Sequence, residues 1–250
     1  MSSLGVLAVQ PYTNSYYEQL HSGSLESARV VAPLVLQMIR PRSVIDVGCG
    51  QGAWLAVFKE LGVADIHGLD GDYVDRNKLA IPNDAFFAHD LTRPFHLERS
   101  FDLVVSLEVA EHLPADCASS FVASLTGLGP VVLFSAAAPY QGGKQHVNEQ
   151  WPAYWAKRFQ QKGYVPVDCL RRRIWTNPSV DWWYAQNIFL YVEHDYLQDH
   201  RVLRREYKTA GPDALALVHP RRYLEWIEWG MCQAKPPVIA ERVTCDRNLA

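Results

Sequence analysis

The chain has 250 residues, 48% of them hydrophobic and 20% charged, which is enough to bury one substantial core and too apolar for global disorder. Its formal charge of -3, from 24 basic and 27 acidic side chains, gives no electrostatic support for a polyanionic partner such as bulk nucleic acid. Cys49, Cys117, Cys169, Cys232 and Cys245 are scattered without a CxxC pair, against a disulfide framework or a structural zinc site.

The opening MSSLGVLAVQPYTNSYYEQLHSG has no basic lead into an apolar run. No window reaches the ~18 apolar residues of a spanning segment, so the sequence predicts neither a signal peptide nor a membrane helix, and cytoplasmic residence is expected. From Glu26 to Met38, apolar residues recur at helical spacing (Ala28, Val31, Leu34, Val35, Met38), with Pro41 as a stop. Ser43 to Val47 reads as a buried strand and Ala53 to Leu61 as a helix. Strands are predicted at Asp65 to Leu69, Ala85 to Ala88, Phe101 to Leu107 and Pro130 to Ser135, with a helix from Cys117 to Leu125. A further helix spans Ala153 to Gln161, with Gly163 as its C-cap, and the last strands are Tyr164 to Val167 and Ile188 to Val192. Strands alternating with helices predict an α/β fold whose sheet carries helices on both faces. Three segments are expected: a lid at 1–26 that includes Tyr16 and Tyr17, a main domain at 27–195, and a helical or irregular C-terminal appendage at 196–250. The appendage carries Arg201, Arg204, Arg205 and Lys208, read as a solvated face.

The strongest local signal is Asp46-Val47-Gly48-Cys49-Gly50-Gln51-Gly52, between a predicted strand and a predicted helix. Glycines at 48, 50 and 52 allow a tight turn and close approach of a ligand to the backbone. Their even spacing differs from the G-x-G-x-x-G of dinucleotide sites, and the absence of G-K-[ST] argues against a phosphate-cradling P-loop. Asp70 ends the second strand 24 positions beyond Asp46, where it can accept from ribose hydroxyls. Asp90, after the third strand, can receive an adenine amino group while Leu91 packs the ring. Asp46 lies beside the turn and can orient the other end of such a ligand. Open sheets of this class bind ligands outside the carboxyl ends of their strands.

These segments, SVIDVGCGQGAW, IHGLDGDYV, AHDL and FDLVVSLEVAEHLP, resemble the class I S-adenosylmethionine-dependent methyltransferases over roughly residues 27–195. The resemblance implies a Rossmann-like seven-stranded sheet with its last strand antiparallel. It also implies S-adenosylmethionine as cofactor, with Gly48, Gly50 and Gly52 as its loop, Asp70 as the ribose acid, and Asp90 with Leu91 at adenine. Asp72 is a second candidate for a hydroxyl, and Glu108 closes the set on the cofactor side. The block HVNEQWP with a later DWWYAQN resembles a bacterial subgroup acting in glycan or natural-product modification.

On the acceptor side, Glu108, Glu111 and His112 form E-x-x-E-H, and a helical turn there puts the two carboxylates on one face. With His146 from QGGKQHVNEQWP they form a candidate divalent-cation set. That set is similar to the metal-dependent small-RNA 2′-O-methyltransferases. The same E-x-x-E-H element is shared with metal-free enzymes, so a metal-free site is favoured. In that reading His146, Glu111 and His112 are the catalytic candidates, with His146 as general base. Asn148, Glu149, Trp151 and Tyr184 are substrate-binding candidates. The loop from Ala136 to Trp151 is expected to contact substrate. Trp151, Trp155, Trp175, Trp182 and Trp183 fit either a core or an aromatic-walled pocket. Arg171, Arg172 and Arg173 form one compact basic cluster in a chain whose charge disfavours RNA.

The expected activity is methyl transfer to an oxygen or nitrogen of a small molecule, a sugar or natural-product intermediate, without membrane or nucleic-acid partners. Oligomerisation is left open. The alternatives are metal-dependent 2′-O-methylation of RNA or a nucleoside ribose, and non-catalytic cofactor binding that regulates a partner.

Overall fold

The computed structural model of the chain describes residues 14–210 and 215–233, with side chains at 23–207 and 215–228. Helix α1 (Asn14–Ile39) leads into β1 (Ser43–Val47), α2 (Ala53–Glu60), β2 (Asp65–Asp70), β3 (Phe86–Ala88) and β4 (Leu103–Leu107). Next come α3 (Ala118–Thr126), β5 (Val131–Ser135), α4 (Pro152–Gln160) and β6 (Tyr164–Val167). The chain continues through α5 (Arg171–Ile174), α6 (Trp182–Asn187), β7 (Phe189–Glu193), α7 (His194–Asp199), α8 (Arg201–Ala210) and α9 (Pro220–Gln233).

The sheet order is β3-β2-β1-β4-β5-β7-β6. Strands β1 to β5 pair in parallel, and β7 runs antiparallel to both β5 and β6. The seven-stranded Rossmann-like sheet expected from the sequence is therefore present. Strands β1, β4 and β5 are buried at every position, as parallel strands covered on both faces must be. Alternate residues divide between two cores: Val44, Val105 and Leu133 face α1 and α2, while Ile45, Val104 and Phe134 face α3 and α4. On the first side Ala28, Val31, Ala32 and Val35 present the apolar stripe of α1, which explains why that helix was legible from Glu26 onward.

Several boundaries differ from the pattern in the sequence. Helix α1 starts at Asn14, upstream of the apolar periodicity and through the 26/27 segment boundary. Residues 1–13 and the Tyr16 and Tyr17 side chains lie outside the described set. Strand β4 begins at Leu103, because Asp102 turns its carboxylate back onto the Arg42 and Ser43 amides at 2.7 and 3.2 Å. The last two strands are neighbours but not a simple hairpin, since α5 and α6 intervene. In the C-terminal appendage the described residues are mainly helical; residues 211–214 and 234–250 lie outside the described set. Among the described residues no helix is long and apolar enough to cross a membrane.

Candidate active site

At the carboxyl ends of β1 and β4, an open cavity of about 730 Å³ runs between the glycine loop, the tryptophans of α6, the loop after β5 and the start of α9. The glycine loop forms one wall. Gly48, Gly50 and Gly52 have φ of 85°, 53° and 84°, a left-handed backbone that only glycine adopts cheaply. The need at Gly48 is also steric, since a Cβ there meets Val109 at 2.3 Å. At Gly50 a Cβ meets nothing within 4 Å, so that backbone is open to the space beside it. The Asp70 carboxylate ties the loop in place: it accepts from the amides of Gly50 at 2.7 Å and Gly71 at 2.6 Å, and from the Tyr73 hydroxyl at 2.5 Å. Asp70 is thus buried behind the loop, while Asp46 borders the cavity. Burial and then the Asp70 charge push the Asp46 carboxyl well above its ordinary range.

The opposite wall comes from the segments after β4 and β5. Glu108 opens the first with φ of 54°, and a single tight turn at Ala110–His112 follows, in place of the predicted α-helical turn. The Glu108 carboxylate is held by the amide nitrogens of Gln141 at 2.8 Å and Asn187 at 3.2 Å. Burial raises its pKa against hydrogen bonds from Ser135, Gln141 and Asn187. Glu111 is fully buried, and its carboxylate, beside the Glu111 and Ala137 amides and the Glu108 side chain, makes no hydrogen bond of ordinary geometry. Burial and then the Glu108 charge raise it well above its usual value. Its backbone carbonyl accepts from the Val147 and Asn148 amides at 2.9 and 3.0 Å, which clamps the loop after β5 to this turn.

His146 is thereby brought against His112, ring edge to face, with centroids 4.8 Å apart. The Glu149 carboxylate lies 2.9 Å from Nδ1 of His146 and also accepts from the Gly142 amide at 2.7 Å. An ionised carboxylate only accepts, so Nδ1 carries the hydrogen, and Nε2 is the nitrogen left to accept a proton when the ring is neutral. Burial, and then His146, lower the pKa of His112 and favour its neutral ring. Ligand atoms of Glu111, His112 and His146 lie within 4.8 Å of one another. Glu108 is not in that cluster, because its oxygens face Gln141 and Asn187.

The residues singled out in the sequence therefore separate. Asp46, Gly48, Gly50, Glu108, Glu111, His112, His146 and Tyr184 line the cavity. Gly52 closes the loop against Ile81, and Asp70 stands behind it. Asp90 does not reach the cavity: it is exposed, and its carboxylate accepts from the Thr92 amide and hydroxyl at 3.0 and 2.7 Å, which lowers its pKa. Leu91 is buried in the core beside Phe95, and Asp72 is exposed to solvent. Asn148 is buried beneath the cavity wall, Glu149 supports His146, and Trp151 lines a neighbouring cleft.

The tryptophans also divide. Trp182 and Trp183 border the cavity, whereas Trp155 packs in the core on Phe134. The basic cluster is consumed by structure: Arg171 is buried against Asp168 at 2.6 Å, and Arg172 and Arg173 pair with Glu206. The sequence did not single out Trp54, Tyr73, Gln141, Asn187 or Arg222. Each comes to the site by tertiary placement, and only Gln141 sat in a segment expected to touch substrate.

A family model described as a methyltransferase domain matches residues 21–211. Among solved structures, magnesium protoporphyrin IX methyltransferase from Synechocystis PCC 6803, with bound S-adenosylmethionine, is 21% identical with a TM-score of 0.51, over 74% of this chain and 86% of that one. A sugar N-methyltransferase from Streptoalloteichus sp ATCC 53650 is 17% identical with a TM-score of 0.51, over 77% and 99%. The methyltransferase domain of a bacterial Hen1 protein is also 17% identical at 0.51, over 68% and 98%. At these identities the likeness is one of fold. No curated protein sequence matches the chain. The matched domain model and the shared fold show that the chain belongs to the methyltransferase domain family, within the class I S-adenosylmethionine-dependent superfamily.

Proposed function

We propose that the chain transfers a methyl group from S-adenosylmethionine to an oxygen or nitrogen of a small molecule, a sugar or natural-product intermediate. The observation that carries this reading is that one cavity has the glycine loop and Asp46 on one wall and the Glu149-supported His146 on the other. The donor fits by shape and chemistry: Gly50 leaves its backbone open, and the Asp70 carboxylate supports the loop where a ribose is bound in sheets of this kind. Bound there, S-adenosylmethionine supplies an electrophilic methyl group.

The chain's own residues position and deprotonate. Trp182, Trp183 and Tyr184 wall the cavity and limit water. Glu149 fixes the tautomer of His146, and Nε2 accepts the proton lost by the acceptor hydroxyl or ammonium. Small acceptors are favoured over RNA because Arg171, Arg172 and Arg173 already hold carboxylate partners. The sugar nitrogen named for the Streptoalloteichus enzyme supports the acceptor class. Methyl-labelled cofactor incubated with the chain and fractionated lysate, followed by mass identification of the product, tests the reading. Tight cofactor binding with no labelled product from small-molecule or RNA pools would favour a non-catalytic binding protein instead.

A second reading, in which a divalent cation assists the same transfer, is favoured by one observation. Glu111 offers a buried carboxylate whose ligand atom lies within 4.8 Å of those of His112 and His146. These three residues would hold the ion, which would acidify an acceptor hydroxyl. Transfer abolished by a chelator and restored by Mg or Mn supports it, and indifference to the chelator removes it.

A further inference from the structure

The C-terminal helix takes part in a second cleft. Residues 215–226 are fastened to the domain at three buried or half-buried points. The Arg171 guanidinium donates to the Leu215 carbonyl at 2.9 Å, the His219 amide donates to the Gln186 side chain at 2.8 Å, and the His219 ring donates to the Trp175 carbonyl at 2.7 Å. Farther along α9, Arg222 and Trp226 both donate to the Tyr140 carbonyl, the latter at 3.1 Å. Between α9 and the loop after β5 this leaves a cleft of about 390 Å³, walled by Pro139, Tyr140, Trp151, Val218, Tyr223 and Trp226. The walls present almost only carbon, and the large side chains stay accessible: Trp151 at 44%, Tyr223 at 62% and Trp226 at 41%.

The inner end of this cleft adjoins the donor cavity. Gln141 and Arg222 border both the cleft and the donor cavity. Gln141 is the same residue that holds Glu108, so only the Gln141 and Arg222 side chains stand between the aromatic walls and the methyl-transfer cavity. A hydroxyl-rich ring alone would lose its hydrogen bonds to water among these walls. A flat apolar ring would stack there and gain area.

We propose that this cleft is the acceptor's apolar subsite, taking a flat aromatic or polycyclic portion while the atom to be methylated lies beside His146. The acceptor is thus bipartite, a polar methylatable group carried on an apolar ring system. The proposal rests on the methyltransferase reading for the role of the subsite, but its occupancy can be measured separately. The concave shape and the border shared with the donor cavity favour a small molecule over a second copy of the chain.

The test uses the full chain and isothermal titration with 2-naphthyl β-glucoside and methyl β-glucoside, in the presence of S-adenosylhomocysteine. The naphthyl compound should bind about tenfold more tightly than the methyl compound. Trp226→Ala should erase that preference and Trp226→Phe should keep it, with S-adenosylhomocysteine affinity little changed in both. Equal affinity for the two glucosides, or a preference untouched by Trp226→Ala, overturns the subsite. Failure of the wild type to bind either probe also overturns it, and a dimer dissociated by Trp226→Ala would then identify the face as a contact between copies. If S-adenosylhomocysteine does not bind while the naphthyl preference and its loss in Trp226→Ala persist, the subsite stands and the methyl-donor reading falls.

Discussion

The Tyr73 hydroxyl donates to Oδ1 of Asp70 at 2.5 Å, on the carboxylate that also fastens the glycine loop through Gly50. A ribose reaching Oδ1 of that carboxylate competes with the phenol. Tyr73→Phe keeps the ring and removes the competitor, so S-adenosylhomocysteine should bind about fivefold more tightly, in line with about 1 kcal/mol for one hydrogen bond. Asp70→Asn should weaken binding by more than about tenfold, because charge-assisted bonds are the stronger ones. Calorimetric titration reads both, and weaker binding by Tyr73→Phe would show that the hydroxyl serves the ligand instead of competing with it.

Asp46 makes the unliganded fold pH-sensitive. Its carboxyl is raised above 3.8 by burial and by Asp70, so the folded chain binds this proton more tightly than the unfolded chain does. Its contribution therefore becomes less favourable as pH rises from the unfolded value through the folded one, and stays reduced above that window. Asp46→Asn should flatten this dependence and raise the thermal midpoint at neutral pH, while weakening donor binding. Parallel melting curves of wild type and variant across the acid range, as a difference, would expose the effect; identical slopes would count against it.

His146 and Glu149 act as a unit. His146→Ala should lower kcat by roughly 10²–10⁴ with donor affinity little changed, the range for loss of a general base. Glu149→Gln should cost less, since the amide oxygen can still accept from Nδ1 and hold the ring in place. Single-turnover rates with a labelled donor distinguish these outcomes from a binding defect.

Two glycines of one loop should respond differently. Gly48→Ala combines left-handed backbone strain with a contact at 2.3 Å to Val109 and should cost roughly 2–4 kcal/mol. Gly50→Ala carries the strain alone, about 1 kcal/mol, but puts a methyl group beside the donor. Denaturant midpoints should separate them, and Val109→Ala should recover part of the Gly48→Ala loss without recovering any of the Gly50→Ala loss.

Arg171 links the domain to its C-terminal helix. Arg171→Met removes the partner of the Asp168 carboxylate and the donor to Leu215, so a loss of about 3–5 kcal/mol is expected. Limited proteolysis should then cut first between α8 and α9. A variant with wild-type stability and protease resistance would show that the α9 docking rests on Gln186 and His219 instead.

The sheet and the glycine turn at its edge follow from local pattern in the chain. The apolar runs of β1, β4 and β5 are short and bounded by turn residues, so local patterning suffices to place them. The evenly spaced glycines after β1 likewise announce a left-handed turn, because few other residues tolerate one. Local pattern could not decide which way a carboxylate points. Asp70 and Asp90 look equivalent at strand ends, yet one is buried under the glycine loop and the other caps Thr92 in solvent. Arg171 reads as part of a basic patch and is instead a buried anchor. Likewise Trp155 and Trp182, similar in sequence context, go to the core and to the cavity. Partner choice at such positions depends on segments far apart in the chain, so only tertiary structure decides it. The meeting of Gln141, Asn187 and Glu108, and the closing of α9 over Tyr140, are of that kind: their hydrogen bonds span 33 to 86 residues.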